Sequence, residues 1–288
     1  MVTFVALGDS TTAGYGDPMP GGGWRGWASL LADGLAPPGQ VAFHNLACSG
    51  ALAADVAYTQ LPTALDHEPD VAAVIVGVND TLRRGFDVAA IGAALDHTAS
   101  ALHRAGALVL TACLPEPGRM FHLPASLARP LARRIAAVNA VTHAVFDRVP
   151  GLHLHIPLLP DVYDPRMWSV DRLHPGERGH RLLAGAYFDL LAAHGVPVHR
   201  RPDAEPANPP PTTRAQIRWL ATEGVHWLYR RSTDLVPQLA RLAVAEWWYD
   251  LRGAAHRLDD RLQQEIAAAL ASEPGAAAQP GAITGKPA

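Results

Sequence analysis

The strongest constraint on this chain is the alternation of short β-rich runs with longer helical stretches through residues 1–200. Thr3–Leu7, Val41–Asn45, Val71–Val76, Leu108–Ala112 and Leu152–Ile156 have strand composition, and Trp24–Leu35, Ala89–Arg104, Ala128–Arg148 and Gly176–His194 have helical length and spacing. Strand–helix alternation at this interval predicts parallel βαβ units with helices on both faces of one sheet. Val71–Val76 is apolar at every position, as a central parallel strand covered on both sides must be. The expected fold is therefore α/β, a three-layer α/β/α domain over residues 1–200.

Beyond that domain the composition changes. Residues 201–211 carry five prolines and read as an extended linker. Residues 212–271 read as a helical extension, with Thr213 as N-cap and Ile217, Leu220, Ala221, Val225 and Leu228 at helical spacing. Pro237 breaks or starts a second helix there. Residues 272–288 are rich in Ala, Gly and Pro and are expected to be a disordered tail.

Four strand ends carry the residues with chemical potential, and ligands of open parallel sheets bind beyond those ends. Gly8-Asp9-Ser10 follows strand one, where a glycine-permitted turn can expose the Ser10 hydroxyl. Taken alone it is also an ordinary turn or helix cap. Asn45-Leu46-Ala47-Cys48-Ser49-Gly50 follows strand two, and Gly50 lets a backbone amide approach a ligand. Gly77-Val78-Asn79-Asp80 ends strand three, where the Asn79 amide is an uncharged donor suited to an oxyanion that exists only during reaction. Asp171-Arg172-Leu173-His174-Pro175-Gly176 precedes the last helix of the domain. Pro175 fits the first helical position and keeps His174 outside the helix. Asp171 and His174 can then point the same way, so that the carboxylate fixes the imidazole tautomer and frees the other nitrogen as a base.

Together these motifs supply a nucleophile, a base with its orienter, and three oxyanion donors. In this combination the chain resembles the SGNH hydrolases, the GDSL esterase/lipase family. The family's Ser, Gly, Asn and His correspond to Ser10, Gly50, Asn79 and His174, and its acidic residue to Asp171. The resemblance runs from residue 1 to about 195. It implies a five-stranded parallel sheet of flavodoxin-like type with strand order 2-1-3-4-5, and hydrolysis of a carboxylic ester without metal or cofactor. The leucine that follows the family serine is Thr11 here. The Gly-x-Ser-x-Gly elbow of the α/β-hydrolases is missing from the sequence, which disfavours that class.

Other features carry less. The loop Leu114–Pro124 follows strand four and should overhang the crevice, making Met120 and Phe121 candidate substrate-binding residues. His153 and His155 share one face of a strand, but two ligands without a nearby third make a poor metal site, and a solvated strand end is the expectation. Cys48 is read as a buried structural thiol. Two cysteines, Cys48 and Cys113, cannot make a disulfide framework. The extension holds four of the seven tryptophans, Trp219, Trp227, Trp247 and Trp248, which are expected to pack on the sheet domain. A lid or a homo-oligomer surface made by these helices stays open as an alternative.

Charge and hydropathy bound the partners. The net charge is −3, and between Thr212 and Ser272 there are 8 Arg against 7 acidic residues, so neither nucleic acid nor an anionic membrane surface is expected. The longest apolar run, Val71–Val76, is far too short to span a membrane. The N-terminus lacks the basic segment of a secretory leader. A cytoplasmic protein acting on a small-molecule ester is the expectation. The same residues would equally serve transfer of the acyl group to a sugar, amine or alcohol acceptor. A non-catalytic binding protein has no reason to keep all five positions.

Overall fold

The strands β1, β2 and β3 each lead into a loop that carries one of the motifs, and the Asp171–His174 turn lies between β5 and the last helix of the sheet domain. The computed structural model describes residues 1–120, 123–219, 221–222 and 235–271. Strands β1 (Val2–Gly8), β2 (Val41–Asn45), β3 (Val71–Ile75), β4 (Leu108–Cys113) and β5 (Gly151–His155) form one parallel sheet in the order β2-β1-β3-β4-β5. β1 and β3 are its central pair, and all five residues of β3 are buried. This explains why Val71–Ile75 carries no polar alternation. The order reverses at β1, so the crevice beyond β1 and β3 is the topological switch point where such sheets bind ligands.

Helices α1 (Gly26–Leu35) and α4 (Glu177–Ala193) pack together on one face, and α2 (Val88–Arg104) and α3 (Ala125–Arg148) on the other. Trp27 of α1 stacks on Tyr187 of α4 with ring centroids 5.0 Å apart, and the Tyr187 hydroxyl donates to the Thr111 carbonyl of β4 at 3.0 Å. That bond satisfies the one polar atom of an otherwise wholly buried ring. Trp24, expected to open α1, instead bridges to Pro18 in an irregular loop and is exposed, because the turn around Gly26 (φ +71°) delays the helix.

The C-terminal part is helical: α5 (Thr213–Trp219), α6 (Leu235–Leu251) and α7 (His256–Ala271). Thr212, not Thr213, caps α5, its hydroxyl accepting from the Ala215 amide at 3.2 Å. Helix α6 packs on α3, and α7 packs on both α2 and α3. Tryptophan burial is not what seats them. Trp247 and Trp248 are 58% and 47% exposed, and α6 instead turns Gln238, Leu239, Leu242, Ala243 and Glu246 inward. Glu246 is buried and paired with Arg133 of α3, while α7 contributes Leu262 and Ile266. Trp227 and residues 272–288 lie outside the described residues.

The segment after α4 is strapped back by Glu177. Its carboxylate, 8% exposed, accepts from Arg25 and Arg181 (both 3.0 Å), from the Ala207 amide (2.8 Å), and from the Asn208 amide and side chain (3.0 and 2.9 Å). Burial raises its pKa, but the hydrogen bonds from Ala207, Asn208, Arg181 and Arg25 outweigh it and bring the group down to about 2. A carboxyl whose folded pKa is depressed stabilises the fold above its ordinary pKa of 4.5, and that stabilisation is lost as the pH falls from there through about 2. Glu177→Gln should therefore lower stability by about 3 kcal/mol at neutral pH, since one partner of a buried ion pair is removed. Denaturant unfolding should also find the gap between variant and wild type closing at low pH. A gap that does not change between neutral and acid pH would remove the charge from the explanation.

Candidate active site

Ser10, His174 and Asp171 form one hydrogen-bonded line. His174 Nε2 lies 2.8 Å from Ser10 Oγ, and His174 Nδ1 lies 2.7 Å from Asp171 Oδ2. Ser10 and His174 are 164 residues apart, so β1 and the loop before α4 must meet for the contact to exist.

Local structure sets each member. Ser10 follows Gly8, whose φ is +148° and where a Cβ would lie 2.1 Å from the Ile75 carbonyl oxygen of β3. Only glycine lets the chain leave the sheet so sharply. Gln60 clamps that turn, accepting from the Gly8 amide at 2.8 Å and donating to its carbonyl at 2.9 Å. Asp171 arranges its own loop. Its Oδ1 accepts the amides of Leu173 (2.8 Å) and His174 (3.0 Å), leaving Oδ2 for the imidazole. Ser169 also donates to Oδ1. Burial raises the Asp171 pKa, but bonds from the His174 ring, Ser169 and the His174 amide outweigh burial, so the carboxyl sits below its ordinary value and stays ionised.

Ser10, Gly50, Asn79, His174 and Met120 all border one cavity of about 600 Å³. Gly50 has φ +83°, a left-handed turn open to glycine. Among the described residues, neither the Ser10 amide nor the Gly50 amide has a protein acceptor. The Asn79 Nδ2 donates to the Ala51 carbonyl at 3.2 Å and lies 3.5 Å from Asp9 Oδ2. Asp9 is buried, and burial pushes its carboxyl up to about 6 against the opposing pull of the Thr11 amide and His174.

Much of the remaining cavity wall is apolar, with Thr11, Ser49 and Arg83 as polar members. Leu114, Pro117, Met120 and Leu123 come from the loop after β4, Leu131 from α3, and Leu239 from α6. Phe121 lies outside the described residues. Cys48, expected to be buried, is exposed at the rim of the loop after β2.

Three supporting contacts carried no sequence signal. Tyr15 packs on the His174 ring at 5.4 Å and is itself stacked on Trp24 at 4.9 Å. His180 is wholly buried. Its Nε2 meets the Tyr15 carbonyl at 2.9 Å, and its Nδ1 accepts from the Trp27 amide at 3.1 Å. Burial brings His180 down to about 4, so it is a neutral fixture of the loop. Arg172 (φ +57°), between Asp171 and His174, donates to Gln216 of α5 at 2.6 Å. The extension therefore touches the loop that holds the imidazole.

A parallel five-stranded sheet with this constellation beyond its carboxyl edge is the arrangement of an SGNH-type hydrolase. The family profile of the GDSL-like lipase/acylhydrolases matches residues 6–182, and the chain belongs to that family. It is a carboxylic ester hydrolase. Solved structures of similar fold include the psychrotrophic esterase EstA from Pseudoalteromonas sp., with TM-score 0.52 and 21% identity over 67% of this chain and 98% of that one. The lipase/acylhydrolase from Enterococcus faecalis aligns with TM-score 0.53 and 22% identity, covering 67% of this chain and 97% of that one. The acetylxylan esterase Axe2 from Geobacillus stearothermophilus aligns at 0.53 and 17%, covering 66% and 94%. A search of curated proteins finds no match to the chain. No described helix is long and apolar enough to cross a membrane.

Proposed function

We propose that the protein hydrolyses a small carboxylic ester with Ser10 as nucleophile, His174 as general base and acid, and Asp171 as the group that orients His174. The observation that carries this reading is the unbroken line of contacts at 2.8 and 2.7 Å from Ser10 Oγ through the imidazole to Asp171. His174 Nε2 takes the Ser10 proton as Oγ attacks the acyl carbonyl. The charge on the tetrahedral intermediate falls to the amides of Ser10 and Gly50 and to the Asn79 side chain. His174 then gives its proton to the leaving alcohol. In the second half it deprotonates water, which releases the acid and restores Ser10.

An NH₂ group has two protons, and Ala51 takes one of those on Asn79. The second, at the outer limit of reach to Asp9, is the one assigned to the oxyanion. Asn79→Ala should lower kcat about 10²–10³-fold and leave KM nearly unchanged, because the bond is made only in the transition state. Steady-state kinetics check this, and a variant with near-normal kcat would take the amide out of the mechanism.

The apolar wall of Leu114, Met120, Leu131 and Leu239 suits the acyl chain, leaving the alcohol on the solvent side. Water is the acceptor in this reading. Purified protein should release p-nitrophenol from a series of p-nitrophenyl esters, with a chain-length optimum set by the cavity. Turnover of none of them would remove the reading. Product analysis with an added alcohol separates hydrolysis from acyl transfer, which uses the same residues.

A further inference from the structure

Four side chains outside the active site converge on a point between β4, β5 and α3. They are Cys113 at the end of β4, His153 and His155 on β5, and His143 on α3, and their ligand atoms all lie within 4.8 Å of one another. Cys113 Sγ lies 2.8 Å from His143 Nε2, 3.0 Å from His153 Nε2 and 3.5 Å from His155 Nδ1. A thiol has one proton, so it can donate to only one of the three nitrogens gathered around it.

The spacing is that of a coordination shell. Zinc–sulfur bonds of about 2.3 Å and zinc–nitrogen bonds of about 2.0–2.1 Å make the edges of a regular tetrahedron about 3.6 Å from sulfur to nitrogen. The observed sulfur–nitrogen distances approach that value from below. The rings meet edge to face, His143 and His153 at 70° and His153 and His155 at 80°, so the imidazoles surround a point and do not stack. His153 is also held from behind, its Nδ1 lying 2.8 Å from Thr111 Oγ1. A hydrogen bond to the second ring nitrogen is how metal-bound histidines are oriented. Cys113 is buried while His155 is exposed, which gives an ion an entry path.

We propose that Cys113, His143, His153 and His155 form a closed tetrahedral Zn²⁺ site that staples β4, β5 and α3 together. On binding, the Cys113 thiol loses its proton to solvent, and the thiolate and three neutral imidazoles fill all four positions. A closed shell with no exchangeable position is a structural site, not a hydrolytic one. What it would hold is the wall of the catalytic cavity. Leu114 and Ile156, which directly follow Cys113 and His155, both line that cavity. Asn139, one turn before His143, clamps the Leu114 backbone with bonds of 2.7 and 3.0 Å. The expectation drawn from the sequence, that His153 and His155 lack a third ligand, fails because α3 and β4 bring in two more.

The test uses the full chain without a histidine tag, stripped with chelator and titrated with Co²⁺ as the spectroscopic probe. Saturation is expected at one equivalent, with the intense visible bands of tetrahedral Co²⁺ and a thiolate-to-cobalt charge-transfer band. Zn²⁺ should bleach both and raise the thermal midpoint. Cys113→Ser should lose the charge-transfer band. His155→Ala removes an exposed ligand with little risk to folding and should weaken binding at least about tenfold, the smallest effect expected even of an outer-shell change. Absence of stoichiometric binding, a spectrum of octahedral Co²⁺ without thiolate, or unchanged affinity in His155→Ala would each overturn the proposal. Labelling of Ser10 by a fluorophosphonate should persist in the chelated protein, which separates this site from the ester chemistry.

Discussion

Ser10→Ala should lower kcat for ester hydrolysis about 10⁶-fold, as loss of a serine nucleophile does in catalytic triads generally. The size follows from what the residue supplies. Without Oγ there is no acyl-enzyme, and the reaction reverts to a direct attack by water. In the proposed mechanism the cavity and the oxyanion donors still act on substrate, so activity of about 10³–10⁴ over the uncatalysed reaction is expected to remain. KM should change little. Ser10 is partly buried just after β1 and, among the described residues, its side chain hydrogen-bonds to His174 alone, so alanine should leave the fold intact. Near-unfolded behaviour of Ser10→Ala by circular dichroism would mean the hydroxyl has a structural role not visible in its contacts.

His174→Ala should cost nearly as much, and Asp171→Asn distinctly less, by about 10⁴-fold. In the proposed mechanism the base and the nucleophile act as one unit, so the Ser10→Ala/His174→Ala double variant should be no slower than either single one. Asp171 has two tasks. Its Oδ1 builds the turn through the amides of Leu173 and His174, and its Oδ2 holds the imidazole. An asparagine can keep the oxygen that builds the turn but presents an NH₂ to Nδ1, which favours the wrong tautomer. The order of damage, His174→Ala worse than Asp171→Asn, is the discriminating result. A reversed order would indicate that the turn, and not the proton transfer, limits the reaction.

The sheet and its motifs were legible because strand ends are local. Val71–Ile75 announces a central strand by composition, Gly8 and Gly77 mark the points where the chain leaves β1 and β3, and Gly50 lies in the loop after β2. Asp171 and His174 are only three residues apart. The supports were not legible, because their meaning lies in partners far along the chain. Gln60 carries no signal of its own until it is found clamping Gly8, 52 positions away. His180 looks like any polar residue of an amphipathic helix and is wholly buried between Trp27 and Tyr15. The extension misled for a related reason. Tryptophan content suggested a buried aromatic seam, but the contact with α3 includes the buried Glu246 paired with Arg133, and a buried ion pair has no periodic signature. The Cys113–His143–His153–His155 cluster draws on three elements, and only its β5 pair is visible as a pattern.

The central claim is that Ser10 is activated by His174, and covalent labelling tests it most directly. Wild-type protein incubated with a fluorophosphonate should gain the mass of one adduct per chain, and peptide mapping should place it on Ser10. Ser10→Ala, folded by circular dichroism, should gain none, and His174→Ala should label far more slowly. An adduct on any other residue, or undiminished labelling of folded Ser10→Ala, would contradict the account.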